Sequence, residues 1–556
     1  MVNGSLNLIR LKIGIIAFTL LVIVPFKSIN CQEKNYNFFY RIYFKDKGTN
    51  TINNFSPGTL LSVKAVKRRE KAGIPVTDMR DIPVYTGYLN QIKSAGFRLH
   101  CTSRWMNTAL FKTETGADIG SIVNLPFVRE VRIVKKPVAK GNSNDKLSFS
   151  TRQDDLPGYD QPVRMLNGLS VHNSGLNGNG ILIAVLDGGF LNAENISSLD
   201  DLRSRNGIKG TYDFVRNNKL VYGYHNHGTA VLSVIAGYIP ESIEGSARGA
   251  DFWLLRSEDT ETEFPVEEDF WVAAAEFADS LGADIISSSL GYCTFDDPLM
   301  DYKFPDLDGN KAFVTQAANI AASKGILVIN SAGNERNKPW IRIIAPSDGD
   351  SVLAVGAVDG NGIISSFSSA GPSFDRQIKP DVVSQGVSVP VQVNTFTVER
   401  SNGTSFSCPV ISGMCACIMQ AVPKALNYEI ISALHSASDR FLSPDSLYGY
   451  GIPDIADVIK QLQDKYTVRP SDGSVASPNP FKEELKIAFR EVPDKLKIEI
   501  YDVNGKLVVC RDYLDYISRT LIIDDFRDLP NGIYFVRLIT PEAILVHKVI
   551  RVNNQL

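Results

Sequence analysis

The chain has 556 residues, 44% of them hydrophobic and 21% charged, with a formal net charge of −3. That length allows about three domains and a large core, while the composition excludes a disordered, collagenous or coiled-coil chain and the charge argues against a nucleic-acid partner. The balance is uneven: residues 32–150 hold 20 basic and 9 acidic side chains, and residues 151–556 hold 35 and 52. Opposite charge of this kind steers two segments together, or merely keeps each soluble.

Residues 13–24, IGIIAFTLLVIV, follow Arg10 and Lys12 and precede Pro25. A membrane span needs about 20 apolar residues and a signal-peptide core about 7 to 15, so residues 1–31 read as a cleaved export signal, with no transmembrane segment in the mature chain. Ser28-Ile29-Asn30 before Cys31 is a poor context for acylation. The seven cysteines form no CxxC pair, which argues against structural zinc, and Cys415 and Cys417 fall on different faces of one expected helix as small fillers.

Past the signal, 37–44 (NFFYRIYF) predicts a strand and 59–71 a basic amphipathic helix ending near Gly73-Ile74-Pro75. Apolar runs at 97–99, 106–111 and 128–134, with a helical stretch at 119–125, complete a small α+β unit. A polar linker spans 141–160. From 161 to 462, strand-like runs at 181–187, 250–256, 283–291, 325–334 and 352–358 alternate with helical stretches, predicting a doubly wound, mostly parallel α/β sheet. Ligands in such sheets sit at the carboxyl ends of the strands. A second linker, 463–477, leads to 478–556, whose alternating segments predict a small β-sandwich.

Three segments carry the chemistry. AVLDGGF puts Asp187 at a strand end, HNHGTAVLSVIAG puts His227 at a helix start, and NGTSFSCPVISG puts Ser405 at another helix start behind Gly403. A serine hydroxyl becomes a nucleophile when a histidine takes its proton, and the histidine needs a carboxylate to fix its tautomer. The helix N-terminus at Ser405 supplies a backbone N–H and a favourable dipole for an oxyanion, and the Asn334 amide in INSAGNE offers a second donor.

Together with SLG at 289–291, AGN at 332–334, VGAV at 355–358 and KPDV at 379–382, these motifs resemble the subtilisin-like serine proteases over about 165–460, in the same Asp, His, Ser order. The resemblance implies a secreted serine endopeptidase with Asp187, His227 and Ser405 as its triad and Asn334 as oxyanion donor. It also implies polypeptide substrates bound by Ser289, Leu290, Gly291, Ala332 and Gly333, with 289–291 acting as an edge strand. The pattern departs from the family at Gly188, Ala230 and Phe406-Ser407-Cys408, and Ile343-Ile344 hint at an apolar or restricted specificity pocket. Residues 32–140 resemble a ferredoxin-like inhibitory propeptide, and 478–556, with SPNPF and LPNGIYFVRL, the C-terminal sorting domain of type IX secretion in Bacteroidetes. These imply a self-processing precursor, binding of its own propeptide, passage through the periplasm, recognition by the secretion machinery, and a secreted or surface location.

The other features read more plainly. His225 lacks the HGT context and reads as a loop residue, while His100, His172, His435 and His547 read as ordinary surface or core residues. The acidic run 258–269 reads as a solvated helix flank, and no complete oxygen-ligand loop appears. No metal and no required cofactor are expected, with structural calcium possible but not identifiable. A rival reading is a protease-like protein that binds peptides without cutting them; the complete triad argues against it.

Overall fold

The computed structural model describes residues 38–137, 147, 158–466, 473–514, 516, 518–526 and 529–552. The apolar run at 13–24, Cys31 and most of the 141–160 linker lie outside the described residues.

The central domain is built on a seven-stranded sheet. Its order is Val382–Gln385, Val352–Val358, Leu327–Ser331, Ile285–Ser288, Leu182–Asp187, Asp251–Arg256 and Ile208–Asp213, parallel at every pairing. Parallel strands need crossovers that bury both faces, which explains why Leu182–Asp187 is buried at every position. Its side chains alternate: Ile183 and Val185 join one apolar cluster with the helices His227–Ala236 and Thr404–Ala421. Ala184 and Leu186 join another with Val266–Leu281 and Phe313–Ser323. The five expected strands are present; the outer strands Ile208–Asp213 and Val382–Gln385 are additions. Among the described residues one helix, Thr404–Ala421, is long and apolar enough to cross a membrane; 89% of that stretch is buried, and it is the central helix of this core.

The N-terminal domain is an antiparallel sheet, Arg98–Ser103, Thr108–Thr113, Phe38–Phe44 and Val128–Lys135 in spatial order. The period-2 alternation of Phe38–Phe44 serves two cores. Tyr40, Ile42 and Phe44 pack inside the domain, while Phe39 and Tyr43 join the cluster on the helices Val266–Leu281 and Phe313–Ser323. The expected helix at 59–71 is two, Pro57–Leu60 and Val63–Lys71, because the Ser62 side chain caps the second by accepting from Ala65 N–H at 3.2 Å. A further helix, Thr86–Ser94, has no counterpart in the sequence reading.

Within the acidic run Glu258, Glu267, Glu268 and Asp269 prove buried rather than solvated, while Glu261 is exposed. Arg41 Nε donates to both Asp269 oxygens at 2.9 Å, and Glu267 accepts from Asp259 N–H at 2.9 Å and Phe264 N–H at 3.2 Å. Farther along the same helix Arg69 reaches Asp279 at 2.6 Å, and at the end of the neighbouring helix Phe313–Ser323 Lys324 reaches Asp78 at 2.8 Å and Asp81 at 3.1 Å. The basic front segment thus docks on these helices through desolvated ion pairs, an arrangement that a one-dimensional charge pattern does not reveal. At the other end of the chain, antiparallel sheets of three and four strands enclose a core that includes Phe481, Ile500, Phe526 and Val536, as a β-sandwich.

Candidate active site

Asp187 ends the strand Leu182–Asp187 and is fully buried; His227 opens the helix His227–Ala236. His227 Nδ1 lies 2.8 and 3.0 Å from the two Asp187 carboxylate oxygens. Because a carboxylate only accepts, Nδ1 carries the proton and Nε2 is left as the basic nitrogen. The loop and helix interlock through small residues. Gly228 N–H donates to Gly189 O at 3.0 Å, and Thr229 Oγ1 donates to Leu191 O at 2.7 Å. A Cβ on Gly228 would sit 2.5 Å from Gly189 O, so the close approach that seats the histidine over the aspartate requires glycine there.

The loop after Asp187 is held from both sides. Gly188 N–H donates to Asp187 Oδ1 at 2.7 Å, and Arg256 Nε donates to Gly188 O at 2.9 Å while its Nη1 pairs with Asp213 at 3.0 Å. Arg256 and Asp213 are both buried. Neither entered the sequence reading; an arginine ending an apolar strand was the available signal.

Ser405 is the second residue of the helix Thr404–Ala421 behind Gly403, and Ser289 Oγ donates to its carbonyl at 3.0 Å. Asn334 lies three residues past the strand Leu327–Ser331. Its Oδ1 accepts from Thr404 N–H at 2.9 Å and Thr404 Oγ1 at 3.0 Å. That pins the amide oxygen and leaves Nδ2 as a donor; a Cβ on Gly403 would lie 3.6 Å from it. His227, Ser405 and Asn334 line one cavity of about 420 Å³ together with Ser289, Leu290, Gly291 and Gly333.

One expectation needs correction. Ala332 does not reach the cleft: it is fully buried, its N–H bonded to Val355 O at 2.9 Å and its carbonyl accepting from Ile344 N–H at 3.3 Å. Ser289-Leu290-Gly291 line the cleft but lie beyond the strand Ile285–Ser288, and the Leu290 carbonyl accepts from Asn330 Nδ2 at 2.9 Å. Of the isoleucine pair, Ile344 lines the cavity and Ile343 is fully buried away from it. His225 sits in the loop, its Nδ1 accepting from His227 N–H at 3.1 Å. Glu258, Glu263 and Glu267 gather on one side of the cleft with carboxylate oxygens within 4.8 Å of one another, and Tyr292 donates to Glu258 at 3.0 Å.

Family comparison agrees with this geometry over the same residues: 178–451 match the model of the subtilase family. Residues 178–451 are a subtilase domain. Residues 39–150 match the peptidase S8 propeptide domain of Bacteroidota, and 476–553 the secretion-system C-terminal sorting domain. The chain is similar to the thermostable alkaline protease of Halalkalibacterium halodurans, at 29% identity over 294 residues, 52% of this chain and 70% of that protein. It is similar to subtilisin BL of Lederbergia lenta, at 28% over 284 residues, 51% and 92% of the two chains. Its likeness to subtilisin E of Bacillus subtilis is 28% over 294 residues, 52% and 68% of the two chains. The chain is a subtilisin-like serine endopeptidase with a propeptide domain, and its sorting domain directs it to secretion or the cell surface.

Proposed function

We propose that the subtilase domain hydrolyses polypeptides through an acyl-enzyme, with Ser405 as nucleophile, and that the precursor matures by cutting itself. His227 Nε2 takes the Ser405 proton as Oγ bonds to the scissile carbonyl carbon. The Asp187 carboxylate stabilises the resulting imidazolium without itself taking the proton. Asn334 Nδ2 and the Ser405 N–H donate to the carbonyl oxygen as it becomes an oxyanion. His227 then returns the proton to the leaving amine, and a water molecule, deprotonated by the same nitrogen, releases the acyl group and regenerates Ser405. Apart from the leaving amine and the water, every proton donor and acceptor in these steps comes from the chain, and the proposed steps call on no cofactor. The observation that carries the reading is the double approach of Asp187 to His227 Nδ1 in the cavity that also holds Ser405 and Asn334.

The dock of the propeptide on the helix Val266–Leu281 supports inhibition before maturation. An export signal at 1–31 and the sorting domain support passage through the periplasm to the type IX machinery. The test compares purified wild-type precursor with Ser405→Ala by intact-protein mass spectrometry and by hydrolysis of unfolded casein. Wild type is expected to lose its propeptide and cut casein while the variant does neither; equal inertness of the two, also after nicking with trypsin, would refute the reading.

A further inference from the structure

Gly291 and Gly333 line the cleft, Gly188 lies behind one of the residues that line it, and the three face different neighbours. A Cβ on Gly291 would lie 2.4 Å from Ile344 Cδ1, and one on Gly333 2.9 Å from the same atom. The space between those two walls is therefore already filled by a side chain of the domain itself. Gly188 is different. A Cβ there would lie 2.5 Å from Leu147 Cδ1 and 2.8 Å from Thr260 Cγ2. Leu147 lies near the end of the segment that matches the propeptide domain, lines the same cavity as His227 and Ser405, and packs against the apolar cluster on that face of the sheet. The chain's own peptide thus seats a leucine against the residue that follows Asp187.

The size of that seat is set by position 188. Its N–H is bonded to Asp187 Oδ1 and its carbonyl to Arg256, so the peptide unit cannot swing aside to make room. Its φ is not positive, so the backbone accepts other residues; their side chains would project into the space the leucine occupies. Thr260 Cγ2 and Leu147 Cδ1 are ends of flexible side chains and can yield, so the fold tolerates a substituent that the seat does not.

We propose that this cleft selects peptide segments placing a leucine-sized aliphatic side chain against Gly188, and that Leu147 is the first such residue it meets. The substrate class is polypeptide with leucine or methionine at one fixed position relative to the cut. This rests on the proposed protease activity. A hydrophobic seat of this kind discriminates by on the order of tenfold between side chains differing by a methylene or more.

The test uses the full chain. Matured wild type, Gly188→Thr and Thr260→Phe each digest unfolded casein and albumin, and the cut sites are read by mass spectrometry. Leucine and methionine should be enriched about tenfold over alanine and glycine at one fixed position for wild type. Both variants should lose that enrichment, which is a ratio within each protein and so independent of overall rate; if Gly188→Thr fails to fold, Thr260→Phe decides. The precursor Leu147→Gly should mature about tenfold more slowly. Cutting that depends on Ser405 but shows no aliphatic preference, or keeps it in the variants that fold, overturns the seat and leaves the protease standing. Wild type as inert as Ser405→Ala overturns both.

Discussion

His100 offers a direct measure of how the propeptide is held. It lies buried between Phe39 of its own domain and Phe270 of the helix Val266–Leu281, with ring centroids 5.6 and 5.1 Å away. Nε2 lies 2.8 Å from Phe214 O, a pure acceptor, so the proton sits on Nε2; Nδ1 is buried without a hydrogen-bond partner. Protonating Nδ1 would strand an N–H in an aromatic pocket close to Lys112 and Arg98. Burial, with those two cations, lowers the pKa from 6.5 to about 4. A depressed histidine pKa means that the undocked chain binds the proton first, so the contribution is fully present above pH 6.5 and is lost as pH falls toward 4. Linkage gives a loss of about 2 kcal/mol at pH 5 and about 3 kcal/mol at pH 4.

The assay is urea-driven undocking of the Ser405→Ala precursor, followed by tryptophan fluorescence, with Trp105 buried in the interface. It is run at pH 7.5 and pH 5 on that protein and on the same protein carrying His100→Phe. Phenylalanine keeps the aromatic packing and loses the bond to Phe214 O at every pH alike, and carboxylates such as Glu276 are common to both proteins. The difference between the two pH dependences therefore isolates His100. The wild-type interface should lose about 2 kcal/mol more than the variant between the two pH values. Equal pH dependence in both would refute the argument.

Three further outcomes are expected. Asn334→Ala should lower kcat by about 10²–10³-fold, the magnitude known for such a donor in subtilisin itself, with little change in KM on peptide substrates; a change confined to KM would remove Asn334 from the oxyanion site. Arg256→Met breaks a buried ion pair and frees Gly188 O, so thermal unfolding should show a loss of about 3–5 kcal/mol. Its surviving folded fraction should cut peptides with reduced kcat, whereas wild-type kcat in that fraction would deny Arg256 any part in positioning Asp187. Ile344→Ala should cost about 2 kcal/mol, the low end for such a truncation because the side chain borders an open cavity. It should also admit cut sites with large aromatic side chains that wild type refuses, as cut-site profiles of unfolded casein would show.

The parts legible in the sequence were those written in short contiguous patterns. The unbroken apolar run before Asp187 announces a strand buried on both faces, and glycines beside His227 and Ser405 announce close backbone approach, because such local constraints admit few residue types. Catalytic order, domain order and the sorting tail follow from motifs of that kind. Other features depend on contacts between distant segments. Glu268 and Asp269 look like a solvated flank until Arg41, more than 200 residues away, is brought against them. Ala332 looks like its neighbour Gly333 until a sheet strand takes up its N–H and Ile344 its carbonyl. Arg256 gains its place from a carbonyl in another strand's loop, and Gly188 its meaning from Leu147. Helical and strand periodicity record which face of an element is buried; the identity of what covers that face is decided only when the chain closes on itself.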